Sequence, residues 1–335
     1  MRRHNVLASV GGLLAALVLV GTAVLPAAAA TSNTSIGGSG NGLKVSPVTT
    51  DLTITPGQTK TTVVYAQNVT SAPITLQVVI NDFTASGDES GAPALLLNPG
   101  QYAPTHSLKR FVAPISNITL QPGEQKGVNV AVSIPKDASA GGYYGAVRFV
   151  PASTNTSSTV TLSASVASLI LVRVPGAVKE DMQMLSLGVN QGTGGASQVL
   201  FTSNKNIIAT MRFQNSGDVQ EQPFGKLLLK QGSKTLATYE INNTTPAGNV
   251  LPGSIRRFTV NLDKTGAFGK FTVIGNFGYG SNGQLLSGQT TFYVIPLALI
   301  GIVIAIILVI LFFIFVFPKM VRSYNKRVIQ KASRR

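Results

Sequence analysis

Residues Lys136–Phe149 read "KDASAGGYYGAVRF". Two glycines, a pair of tyrosines and a third glycine stand at the mouth of an alternating apolar run. As a strand from Tyr143, one face carries Tyr143, Gly145, Val147 and Phe149, and the other carries Tyr144, Ala146 and Arg148. The first set suits a core. Gly145 leaves room for an opposing sheet or a large neighbouring side chain. The stretch is therefore read as a fold device, with Tyr144 and Arg148 as exposed binding residues on the outer face as the competing reading.

The flanking sequence supports a strand. "DLTIT", "KTTVVYAQN", "PITLQVVIND", "ISNITL", "GVNVAVSIP" and "TVTLSASVASLILVRVP" alternate in the same way, with Pro, Gly and Asn between them. Short strands at this spacing indicate a β-sandwich, and a Tyr entering a strand after a Gly-containing corner suggests a tyrosine corner. The pattern then recurs. "VVYAQNVTSAPITLQVVI" from Val63 resembles "TMRFQNSGDVQEQPFGKLLL" from Thr210, and "LQPGEQKGVNVAVSIP" resembles "VLPGSIRRFTVNL". Two copies of one unit are the simplest explanation. Phe271, Val273, Gly275 and Phe277 then stand where Tyr143, Gly145, Val147 and Phe149 stand in the first copy.

The ends are different. Arg2 and Arg3, an apolar run and Ala28-x-Ala30 read as a signal peptide over residues 1–30, with an uncleaved anchor as the alternative. Val294–Phe317 is 24 residues without a charge, about 36 Å as a helix, enough to span a bilayer. The tail holds seven Lys and Arg and no acid, which places it in the cytoplasm. The expected chain is all-β: two tandem Ig-like β-sandwiches plus a single C-terminal transmembrane helix. Its divisions are 1–30 signal peptide, 31–43 linker, 44–175 first domain, 176–293 second domain, 294–317 helix and 318–335 basic tail. The protein is expected in the plasma membrane, single-pass, with its N-terminal region outside. "LPGSI" at Leu251 approaches a sortase signal but lies too far before the helix, so the helix should be retained.

The net charge of +15 belongs largely to these ends. Without the two charges of the signal and the seven of the tail, 18 basic residues face 12 acidic ones. That is a weak charge for a nucleic-acid binder. There is no cysteine, hence no thiol nucleophile. His106 is the only histidine beyond the signal, too few for a His/Cys zinc site. "GYGSNG" matches a dinucleotide fingerprint by letters, but a strand follows it where a helix is required, so it reads as a hairpin turn. Asp82, Asp88 and Glu89 share one loop, where a solvated acidic loop is favoured over calcium. No catalytic, cofactor or metal site is assigned, and the chain is read as non-enzymatic. The thirty-residue connection from Phe83 to Pro114 is long for a compact domain. Tyr102, His106, Lys109 and Arg110 within it, with Tyr144 and Arg148, form the candidate partner-binding set. The competing reading has "ALLL" and Phe111 packing back onto the sandwich.

"ITPGQTKTTVVYAQNVTSAPITLQVVINDF", "HSLKRFVAPISNITLQPGEQKGVNVAVSIPKDASAGGYYGAVRF" and "ATMRFQNSGD…VLPGSIRRFTV" resemble the WxL-interacting proteins of Gram-positive-type bacteria, and the layout matches. The resemblance implies a cell-surface protein that binds peptidoglycan through its first domain, a secreted WxL-domain partner, and host ligands through its second. The expected function is a membrane-anchored binding or scaffold protein for cell-wall polymer and/or a secreted WxL-type partner. The alternative is an adhesin for host or neighbouring-cell surfaces.

Overall fold

The computed structural model describes residues 42–152, 165–192 and 195–332. The signal peptide and most of the linker lie outside these residues, as do the last three residues of the tail. The first sandwich is built from β1 (Leu43–Ser46), β2 (Thr49–Thr53), β3 (Thr59–Asn68), β4 (Ile74–Ala85), β5 (Pro93–Leu95), β6 (Ile118–Leu120), β7 (Gln125–Ser133), β8 (Gly141–Pro151) and β9 (Val166–Val174). A three-stranded sheet β1-β3-β7 faces a larger one ordered β2-β9-β8-β4-β5, with β6 beside β4. Val64, Val130 and Val132 from one sheet meet Leu76, Phe149, Ile170 and Val172 from the other. Val130 and Val132 on β7, and Ile170 and Val172 on β9, are two residues apart, as one face of a strand requires.

The second sandwich repeats the plan with β10 (Met182–Gln191), β11 (Leu200–Phe201), β12 (Ile207–Asn215), β13 (Phe224–Gln231), β14 (Lys234–Ile241), β15 (Ile255–Asn261), β16 (Gly269–Tyr279) and β17 (Gln284–Val294). Sheet β10-β12-β15 faces β11-β17-β16-β13-β14. Its core is more aromatic, with Phe201, Phe213, Phe271, Phe277 and Phe292 fully buried.

The repeat is visible atom by atom at the Gln-Asn pairs. Asn68 ends β3, fully buried, and its Nδ2 donates to the Ala72 (2.7 Å) and Leu120 (3.3 Å) carbonyls. Asn215 ends β12, and its Nδ2 donates to the Val219 (2.7 Å) and Val250 (2.8 Å) carbonyls. In both copies the asparagine carbonyl accepts from the glycine of the Pro-Gly turn, Gly123 (3.0 Å) or Gly253 (2.9 Å). That bond uses the backbone carbonyl. The side-chain Oδ1 accepts from the Thr70 N–H (2.9 Å) in the first copy and the Gly217 N–H (2.8 Å) in the second. The carboxamide thus supplies both a donor and an acceptor that an apolar residue would lack.

At the corner, the Tyr143 hydroxyl donates to the Ser139 carbonyl at 2.8 Å, as a tyrosine corner does. A Cβ on Gly145 would lie 3.0 Å from the Leu108 Cβ, so the space kept by this glycine is filled from the long connection. The expectation for the outer face is corrected. Tyr144 is 3% exposed and Ala146 1%, packed with Phe83 and Leu171 into a third cluster that Leu251 of the second sandwich joins. Both faces of β8 are covered because another part of the chain sits on the outer one.

The C-terminal helix also starts later than expected. Val294 is buried as the last residue of β17, and Ile295 donates its N–H to the Phe201 carbonyl at 2.8 Å. After Pro296 comes α1 (Leu297–Leu311), a π turn at Phe312–Val316, then α2 (Phe317–Ala332). Leu297–Ser323 is 27 residues long, apolar and without burial inside the molecule, long enough to cross a membrane.

Candidate functional site

Asp82 organises the long connection. It is fully buried near the end of β4. Its carboxylate accepts from the Ala103 N–H (2.9 Å), the Ser107 hydroxyl (2.6 Å) and the Lys109 N–H (2.8 Å). Next to it, Asn81 Nδ2 donates to the Leu96 carbonyl at 2.7 Å. The Asp82 bonds are charge-assisted, and with the Asn81 bond they hold a segment that has almost no regular structure. Its outer surface then presents Tyr102, 43% exposed, with Lys109 Nζ 4.8 Å and the Arg110 guanidinium 4.7 Å from its ring centre. The two cations fix the ring in place. Lys109 is further held by the Pro99 and Gln101 carbonyls, while Arg110 is exposed.

The structure divides the six candidate residues. Tyr102, Lys109 and Arg110 form that patch. His106 is half-buried, in a left-handed conformation (φ 62°), and its Nδ1 donates to the Gly142 carbonyl at 2.6 Å. Its ring lies against Tyr144. The Tyr144 hydroxyl reaches across to Gln220 of the second sandwich at 3.1 Å. These two residues fasten the fold instead of standing free. Arg148 is half-buried and bonded to Asn81 (3.1 Å). Of the three acids read as one loop, Asp82 has turned inward and Asp88 accepts from Ser86 and Ser90 within its turn. Glu89 pairs with Arg212 of the second sandwich. Among the described residues no cluster of His, Cys, Asp or Glu could hold a metal ion. "ALLL" is split: Leu95 joins the third cluster and Leu97 is 55% exposed.

The junction between the sandwiches holds residues that the sequence reading did not single out. One recess, about 440 Å³, is lined by Asp51, Arg173, Gln220, Glu221, Phe224 and Ser281, among others. Arg173 pairs there with the nearly buried Glu180, whose other oxygen accepts from the Ser281 N–H (2.8 Å) and hydroxyl (2.9 Å). Glu221 is 3% exposed and its Oε1 has no partner. Burial, aided by the nearby Glu180 charge, pushes its carboxyl up to about 7. A second cavity, of about 410 Å³, is mostly apolar and contains Arg256. "SIRRFTV" carried a signal for it, since alternation sends one of two adjacent arginines inward.

Residues 50–150 match the family model described as WxL Interacting Protein, peptidoglycan binding domain. The match supports the WxL-interacting family and covers most of the first sandwich, including Asp82 and the Tyr102 patch. The matched family is a binding domain, not an enzyme family, and it supports a cell-wall-binding protein. No curated protein matches the chain by sequence. Among solved structures, the chain is similar to the class 5 fimbriae chaperone CfaA at 13% identity and a TM-score of 0.35, covering 76% of this chain and 100% of that one. It is similar to the Pseudomonas aeruginosa chaperone CupB2 at 12% and 0.32, covering 72% and 97%. The E. coli chaperone DraB gives 14% and 0.31, covering 75% and 96%. Scores this low carry no information about function.

Proposed function

We propose that the chain is a membrane-anchored surface protein that holds cell-wall polymer through its first sandwich. The match of residues 50–150 to a peptidoglycan-binding domain carries this reading. The C-terminal apolar helix supports the anchor, and its basic end supports a cytoplasmic tail. In this reading the first domain spans 44–175 and the second 176–293. The Tyr102 patch meets the polymer: an exposed ring stacks on sugar faces, and Arg110 pairs with its carboxylates. A secreted WxL-type protein is the proposed second partner, docked on the same outer region.

The test is co-sedimentation of the full chain, in lipid nanodiscs, with purified peptidoglycan sacculi. The wild type should sediment with them. The Tyr102→Ala, Arg110→Ala double variant should lose most of the bound fraction while keeping its melting temperature. Wild-type protein that stays in the supernatant would overturn wall binding. Capture of one secreted protein in its place would make the chain a scaffold.

A further inference from the structure

Arg256 is a cation in an apolar place. Alternation on β15 puts it on the inward face with Phe258 and Val260, at the end where the strand reaches the first sandwich. Its Nη1 donates to the Asn249 carbonyl at 2.7 Å, and its Nε is buried with no partner. Among the described residues no carboxylate forms an ion pair with it. Burial alone depresses its pKa, with no counter-charge to offset it.

The space for the guanidinium is built. A Cβ on Gly91, from the first sandwich, would lie 2.1 Å from the Arg256 Nε. One on Gly248, from the second, would lie 2.8 Å from its Cζ. Side chains at both positions would displace it. The cavity in front is lined by Phe83, Leu95, Leu169, Leu171 and Leu251, with polar groups at Thr49, Asn249 and Ser254. Arg256 is half-buried, and among the described residues its guanidinium has only the Asn249 carbonyl and the face of the Phe258 ring, 5.1 Å away. A partly desolvated charge with no counter-ion is costly. A site that keeps one facing an apolar cavity of small-molecule size is suited to an anion with an aliphatic body.

We propose that this cavity binds the C-terminal carboxylate of a short peptide with small aliphatic side chains, the chemistry at the end of a peptidoglycan stem peptide. The proposal rests on the wall-binding reading and names the part of the polymer recognised. Arg256 pairs with the carboxylate, and the leucines and Phe83 cover the side chains. The scattered polar groups suit a chain with amides better than an uninterrupted acyl chain.

The experiment is calorimetric titration of the full chain in nanodiscs with diacetyl-lysyl-D-alanyl-D-alanine, its C-terminal amide, and octanoate. The free acid should bind, and the amide should bind roughly thirtyfold more weakly or not at all, the loss expected when a buried charge pair is broken. Arg256→Gln should lose as much. Leu169→Trp, which takes up cavity volume and leaves Arg256 in place, should abolish binding and guards against misfolding of the first variant. Equal binding of acid and amide, or octanoate binding with no peptide binding, would overturn the proposal. Sacculi run in parallel separate the two readings. Sacculi bound without peptide sinks the cavity assignment alone. Peptide bound without sacculi sinks wall binding alone.

Discussion

The two sandwiches share a frame, and one pair of facing positions accounts for the long insertion that only the first carries. In the first, Asp82 of β4 lies opposite Gly145 of β8. In the second, Leu229 of β13 lies opposite Val273 of β16, and both are fully buried. Leu229 and Val273 fill their own core. Asp82 and Gly145 leave theirs open, and Leu108 from the long connection fills the gap while the Asp82 carboxylate ties that connection down. The same scaffold thus either closes on itself or accepts a long inserted segment. The insertion displays the exposed patch. The choice depends on two facing positions, one holding a carboxylate and the other no side chain at all.

The largest expected effect breaks this contrast directly. Asp82→Ala leaves three donors in or next to the core without an acceptor and should cost about 4 kcal/mol. Amide exchange should then rise throughout residues 96–112 and stay unchanged in the second sandwich. Protection that persists in the connection would mean that Leu108 and Phe111 hold it without Asp82. Next come the turn asparagines, which should behave alike because they do the same work. Asn68→Ala and Asn215→Ala each leave buried carbonyls unpaired and should each cost about 3 kcal/mol by chemical denaturation. Costs differing by more than about 1 kcal/mol, well beyond ordinary additivity error, would show that the two knots are not equivalent.

The frame was legible in the sequence and the junction was not. Alternation, the paired "QN" and "PG" signals and the Tyr143 corner are local, so the strands, the repeat and the sheet faces could be read from them. The length of the Phe83–Pro114 connection pointed to the Tyr102 patch. Tyr144 was misplaced because its face is covered by Leu251, more than a hundred residues away. Nothing local to β8 records that cover. Glu221 and Arg256 were passed over for the same reason: their burial comes from the meeting of two sandwiches. Alternation indicates which arginine turns inward, but not that the inward end opens on a cavity.

The junction gives the next prediction. The Glu221 carboxyl is raised to about 7 in the folded protein. A raised acid keeps its proton on folding, so the folded state binds more protons than the unfolded one between about pH 4.5 and 7. Its contribution is therefore full below pH 4.5 and lost as pH rises through 7. The loss amounts to at most about 3 kcal/mol. Glu221→Gln, which cannot ionise, should flatten this part of the stability curve. A variant with the wild-type slope would place the titration elsewhere. Because Glu221 belongs to the second sandwich and Arg173, whose charge opposes the rise, to the first, the slope also reports on how the junction holds them.

The smallest effect returns to the corner. Tyr143 and Phe271 hold the same place in the two copies, but only Tyr143 carries a hydroxyl, and it bonds to Ser139. Phe271 is fully buried and stacks on Phe292 with ring centres 5.4 Å apart. Tyr143→Phe removes one partly exposed hydrogen bond and keeps the contact with Phe111, so it should cost about 1 kcal/mol. For a chain of this size that is a fall in Tm of about 2–4 °C. Phe271→Tyr should destabilise, because the end of this fully buried ring lies against Gly266, where even a Cβ would be 3.1 Å from it, and the hydroxyl would be crowded there. If Tyr143→Phe leaves Tm unchanged, the corner is held by ring packing in both copies and its hydroxyl is incidental. In that case the distinction between the sandwiches narrows to Asp82 and Gly145.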